Sequence, residues 1–165
     1  MKLKRLLVPR RMFLALLGVC ITSGCSCLCT SDRNSKNVTQ AEIEQRLQQI
    51  FSAAENKDFD RLDSYHLYGP KFTKFTTSLP ERLDAFAGRK SEHDGLGAIK
   101  GLKMRADSLK IDRFENIAIA TFILDYSFET SDKVARRRER STLVFVKDGD
   151  GGWKIAHEHL SRIGE

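Results

Sequence analysis

Apolar residues recur at helical spacing from Ile43 through Leu47, Ile50, Phe51 and Ala54, behind a Thr39 and Glu42 capping pair, and predict a long first helix. Asn56 and Lys57 break it. Asp58 can cap a short second helix that carries Phe59, Leu62 and Tyr65 on one side and stops at Gly69 and Pro70. Lys71 to Thr77, with Phe72 and Phe75, reads as an irregular first strand, and the charged, Gly-containing stretch from Pro80 to Gly101 leads into a weaker helix near Leu96 to Met104. The pattern then changes to strands over Asp107 to Phe114, Ile117 to Glu129, Arg137 to Lys147 and Gly152 to Ser161. Asp148 to Gly152 makes the hairpin turn between the last two, because Asp and Gly tolerate positive φ.

The last strand carries the most chemistry. Strict alternation places Trp153, Ile155, His157 and His159 on one side and Lys154, Ala156, Glu158 and Leu160 on the other. A strand that commits the chain's single tryptophan to one face buries that face, so both imidazoles are expected inside and Glu158 outside. An even-length hairpin loop adds Arg138, Arg140, Thr142, Val144 and Val146 to the Trp153 face; an odd loop substitutes Glu139, Leu143 and Phe145, and a bulge reverses either result. The even arrangement is favoured and sets Arg140 near His159. Tyr126 and Phe128 oppose Asp125, Ser127 and Glu129, which favours the aromatic set inward. The expected pocket is therefore Phe51, Tyr65, Tyr126, Arg140, Trp153, His157 and His159. A buried arginine beside imidazoles suits a small carboxylate or another anionic, partly apolar ligand. The alternative is that each polar group simply satisfies a neighbouring backbone or hydroxyl group.

The front of the chain changes the charge argument. Lys2, Lys4, Arg5, Arg10 and Arg11 precede an apolar run from Met12 to Ile21 with no acid among them, the pattern of a secretory signal. The run is about half of the ~20 residues a spanning helix needs. Ile21 to Cys25 resembles a bacterial lipobox, although Thr22 stands where Leu, Val or Ile is usual, and Arg10 to Leu14 resembles a twin-arginine export motif. The expected organisation is a signal over 1–24, a lipidated Cys25 with a tether over 25–37, and one domain over 38–165, exported in bacteria and anchored to a membrane facing the periplasm or exterior. The whole chain carries +6, but losing five of 28 basic groups leaves 23 against 22 acidic ones, or +1, which argues against a nucleic-acid partner. All four cysteines (Cys20, Cys25, Cys27, Cys29) precede the domain, so no disulfide framework is expected in it. No metal or cofactor is expected either. The Cys25, Cys27, Cys29 spacing lacks the usual two-residue gap, and a calcium reading of the Asp148 loop fails because His159 stands at its twelfth position.

The Asp58-Phe59-Asp60 helix start, the Arg140-Ser141-Thr142 strand and the ending Trp153 to Ser161 together resemble the SnoaL-like branch of the nuclear transport factor 2-like superfamily, over Val38 to Ser161. That resemblance implies an α+β, cone-shaped fold, a curved antiparallel sheet packed against N-terminal helices, with a pocket inside the cone. It also implies enzymatic relatives such as ketosteroid isomerase and polyketide cyclases, which use an aspartate base and acidic or phenolic donors. No matching aspartate dyad is evident here; Tyr65 or Tyr126 could be donors and His157 a base. A similar His-x-His-x-Ser ending occurs in the association domain of calcium/calmodulin-dependent kinase, which is not catalytic. Three readings follow: a ligand-binding domain, an isomerase, cyclase or hydratase-type enzyme, and an oligomerisation module. Superfamily relatives commonly dimerise through the sheet, which implies a homodimer.

Overall fold

The structure, a computed structural model, describes residues 28–163, with side chains from Gln40 onward. Cys25 and the expected signal segment lie outside the described residues. The elements in chain order are α1 (Leu28–Glu55), α2 (Phe59–Ser64), β1 (Thr73–Phe75), α3 (Ala85–Ala98), β2 (Lys100–Phe114), β3 (Ile117–Glu129), β4 (Val134–Lys147) and β5 (Trp153–Arg162). The five strands form one sheet in the order β1-β5-β4-β3-β2. Every pairing is antiparallel except β1 with β5, which run parallel.

The core lies between the inner face of this curved sheet and the helices. Ile43, Leu47, Ile50, Phe51 and Ala54 supply the buried stripe of α1, and Ala118, Ala120, Phe122, Leu124, Leu143 and Phe145 face it from β3 and β4. Small alanines on β3 let the α1 side chains approach, and Phe51 meets Phe122 edge to face with ring centroids 6.2 Å apart. Asp58 caps α2 by accepting the Arg61 N–H at 3.2 Å. Gly88 sits where α3 crosses β1, and a Cβ there would stand 2.9 Å from the Phe72 ring. Among the described residues, no helix is long and apolar enough to cross a membrane.

Three sequence expectations are corrected. Residues 28–37, expected as a tether, belong to α1. The weak helix stands at Ala85–Ala98 instead of Leu96 to Met104, because Asp84 caps it by accepting the Ala87 N–H at 2.9 Å. Lys100 to Met104 are claimed by β2, where Lys103 and Met104 pair with Ser127 and Tyr126 along the full length of β3.

The third correction decides the site. The β4/β5 ladder pairs Phe145 with Ile155 but Val144 with His157, so Ala156 is an extra residue, a β-bulge that inverts facing along the rest of β5. Trp153 and Ile155 are buried as alternation requires, but beyond the bulge Glu158 is buried and His159 is exposed. Glu158, Leu160 and Arg162 therefore continue the inner row. His157 and His159 turn to the outer face beside Val144 and Thr142.

Candidate functional site

A cavity of about 220 Å³ opens inside the cone, walled by Ile50 and Ala54 of α1, Leu96 of α3, Leu102 and Met104 of β2, and Leu124 of β3. Its polar groups collect at two places. Lys74 and Glu92 stand on the β1/α3 side, and Tyr126 with Glu139 stands toward the open end of the sheet.

The first of these is the visible edge of a buried charge cluster. The parallel β1/β5 register sets Lys74 opposite Glu158, and Lys74 Nζ donates to Glu158 Oε2 at 2.6 Å and to Glu92 Oε1 at 2.9 Å. The His66 ring fills the remaining side, with Nε2 2.6 Å from Glu158 Oε1 and Nδ1 2.9 Å from the Leu62 carbonyl oxygen. Both ring nitrogens face acceptors, so the imidazolium, with two N–H donors, satisfies the geometry. Burial alone would lower the His66 pKa, but Glu158 and Glu92 outweigh it and raise the value to about 9. Burial likewise works against ionisation of Lys74 and Glu158, and their mutual attraction overrides it, holding Lys74 above and Glu158 well below their ordinary ranges. Tyr68 donates to Glu92 Oε2 at 2.9 Å and stacks on His66 with centroids 4.8 Å apart. His66, Glu92 and Glu158 have metal-ligating types within 4.8 Å of one another. The Lys74 ammonium bridges the two carboxylates, however, and His66 has no lone pair to spare, so the donor set suits internal neutralisation better than a metal ion.

At the other polar place, Tyr126 Oη donates to Glu139 Oε1 at 2.9 Å, and Thr77 Oγ1 lies 3.4 Å from the same oxygen. Burial and the adjacent Glu139 push the Tyr126 pKa up to about 12. Here the cavity meets a wider groove of about 840 Å³ lined by Thr77, Tyr126, Arg136, Arg137, Arg138, Glu139, Arg162 and Ile163.

The seven expected pocket residues do not come together. Tyr126 lines the cavity; Phe51, Tyr65 and Trp153 are buried in the core away from it. The Trp153 indole N–H donates to Glu42 Oε2 at 2.8 Å, and the Tyr65 hydroxyl accepts from Arg61 Nε at 2.7 Å. The hairpin pairs Trp153 with Lys147, so Glu139, Leu143 and Phe145 share the Trp153 face in place of the expected Arg138, Arg140 and Thr142; Arg140 lies on the outer face, and the bulge turns the two histidines out to join it. Arg140 is exposed and donates from Nη1 to the Arg162 carbonyl at 2.8 Å. His157 shares a 2.7 Å hydrogen bond with the Thr73 hydroxyl, and burial together with nearby His159 holds its pKa below the ordinary value. The expected anion pocket of Arg140, His157 and His159 inside the cone is thus not formed.

Sequence reasoning missed His66, Lys74, Glu92 and Glu158. One signal was available: Lys74 lies between Phe72 and Phe75 in a strand-like run, and a lysine held among core residues demands buried carboxylates.

A family model described as a SnoaL-like domain matches residues 43–164. No curated protein matches the chain. Among solved structures, a candidate dehydratase of the NTF2-like family from Streptomyces avermitilis superposes with a TM-score of 0.70 at 16% identity, covering 79% of this chain and 99% of that one. An NTF2-like superfamily protein from Salmonella enterica gives 0.69 at 15% identity, covering 79% and 94%. The CaMKII hub homology domain of Chlamydomonas reinhardtii gives 0.64 at 17% identity, covering 76% and 99%. At these identities the likeness establishes the cone fold, which hosts both enzyme candidates and assembly domains.

Proposed function

Because the chain belongs to the SnoaL-like domain family, we propose that its cone binds a small, largely apolar molecule through the cavity between α1, α3 and the sheet. The observation that carries this reading is the cavity itself, an apolar chamber with polar groups at two separate places, the usual composition of a small-molecule site. Native mass spectrometry of the purified protein tests it. A bound small mass is expected in the parent protein and is expected to vanish in Leu160→Trp, which fills the cavity from β5. Gly95→Phe serves as a second variant, since a Cβ at Gly95 on the α3 wall meets nothing within 4 Å. A folded Leu160→Trp protein that retains the mass would overturn the reading.

A lyase or isomerase is the second reading, favoured by Lys74 and Glu92 at the cavity wall, where a cationic donor and a carboxylate could serve acid–base chemistry. Incubating the released ligand with the protein distinguishes the two: a change in its mass or isomer composition marks an enzyme.

The outer face of the sheet supports a homodimer. Ile119, Ile123, Val144 and Val146 are only half-buried there, beside Phe75 and His157, and no described element covers them. Val144→Lys with Ile123→Asp should give monomers in sedimentation if two sheets pack back to back. Export with a lipid on Cys25 is proposed on the sequence pattern alone, and labelled palmitate incorporation lost in Cys25→Ala tests it.

A further inference from the structure

The groove at the open end of the cone collects four guanidinium groups, Arg136, Arg137, Arg138 and Arg162, against one carboxylate, Glu139. Two of the four are committed elsewhere. Arg136 donates to both oxygens of Asp125, at 2.8 and 2.5 Å, and Arg138 lies 3.8 Å from Asp107. Among the described residues Arg137 donates only to the neighbouring Arg136 carbonyl, and neither Arg137 nor Arg162 pairs with a carboxylate there. Both belong to the inner row of the sheet. Arg137 pairs in register with Tyr126, and Arg162 pairs with Glu139 because the Ala156 bulge turned it inward. Without the bulge, Arg162 would face outward and the histidines inward.

Tyr126 and Glu139 line both the apolar cavity and this groove, so the two spaces adjoin across one hydrogen-bonded pair. A groove with an excess of cations adjoining a largely apolar chamber focuses anions at one end and accepts apolar surface at the other. Glu139 opposes an anion, but its carboxylate is already engaged by the Tyr126 hydroxyl and is outnumbered. We infer that the ligand is an anionic amphiphile, its apolar body in the cavity and its carboxylate or phosphate head held by Arg137 and Arg162. Planar guanidinium forks match the oxygens of either head group.

The inference rests on the cavity reading, and three probes separate the two. Titration calorimetry with octanol, octanoate and octyl phosphate compares one apolar body carrying a neutral, a carboxylate and a phosphate head. Octanoate or octyl phosphate should bind about tenfold more tightly than octanol, the preferred anion identifying the head group. Arg137→Gln with Arg162→Gln should erase that advantage while octanol affinity stays unchanged, and Glu139→Gln should strengthen the anions. Leu160→Trp should weaken all three. If octanol binds and responds to Leu160→Trp but neither anion gains over it, or if the gain survives the double arginine variant, the arginine assignment is wrong and the cavity reading stands. If Leu160→Trp leaves all three affinities unchanged while remaining folded, the cavity reading fails and takes the inference with it.

Discussion

Glu158 and Asp125 are carboxylates on opposite faces of one sheet, each only 4% exposed, and each is held ionised by two cations. Their surroundings differ in kind. Glu158 is covered by Lys74 and His66, which are themselves 4% and 5% exposed, so the charges sit in protein interior and depend on one another. Asp125 is covered by the guanidinium groups of Arg105 and Arg136, whose side chains are 59% and 62% exposed. What hides Asp125 is a lid of solvated cations lying on a surface. Equal burial of two carboxylates therefore conceals unequal dependence: removing a partner on the inside strands a charge where water cannot reach, whereas outside water replaces it.

The largest expected effect breaks the inner cluster. Lys74→Met leaves Glu158 and Glu92 without their bridging ammonium and should cost ~3–5 kcal/mol in urea unfolding. A loss no larger than that of an ordinary surface substitution would show that water enters the cluster.

The second expectation concerns pH. His66 is raised from 6.5 to about 9, so its contribution is complete below 6.5 and is lost as pH climbs through about 9. Glu158 is held below its ordinary 4.5, so its contribution is present above 4.5 and is lost as pH falls through the lower folded value. Urea midpoints should therefore be highest between 4.5 and 6.5 and should decline toward 9. In His66→Gln, less stable throughout, the alkaline decline should disappear.

Asp125→Ala on the outer face should cost about 1 kcal/mol or less, and the difference should shrink further in high salt. A cost comparable to that of Lys74→Met would erase the distinction between the two carboxylates. Smallest of all, Arg140→Leu and His159→Ala should change stability by no more than about 0.5 kcal/mol, since both side chains are exposed. Neither should alter octanoate affinity, which separates the Arg137 and Arg162 assignment from an outer-face site.

The fold was legible in the chain because its long elements obey one period each. The Ile43 to Ala54 stripe, the Asp58 cap and the limits of β3 at Ile117 and Glu129 appear where pattern places them. Tyr126 facing inward was also readable, from the polar residues opposite it. The site was less legible because its geometry turns on Ala156, and nothing in Ile155-Ala156-His157 announces a bulge. Alternation carried through that point sends the histidines inward and Glu158 outward, the reverse of what the ladder does. His66 and Glu92 were out of reach for another reason. Their partners lie on β1 and β5, far along the chain, and spacing alone does not encode such a meeting.

The bulge at Ala156 also bears on how such a protein changes over generations. Losing this one codon would leave His157 opposite Val144 and every later residue of β5 facing as it does now, whereas straightening the ladder with Ala156 retained would rotate them all to the other face. Imidazoles would then face Lys74, and Arg162 would leave the cavity mouth. Two descendants of one ancestor could keep the same Trp-to-Ser ending letter for letter around that position and yet show their cavities opposite chemistries. A gap of one column at Ala156 in an alignment of such proteins therefore marks a bulge removed, not a cavity relined.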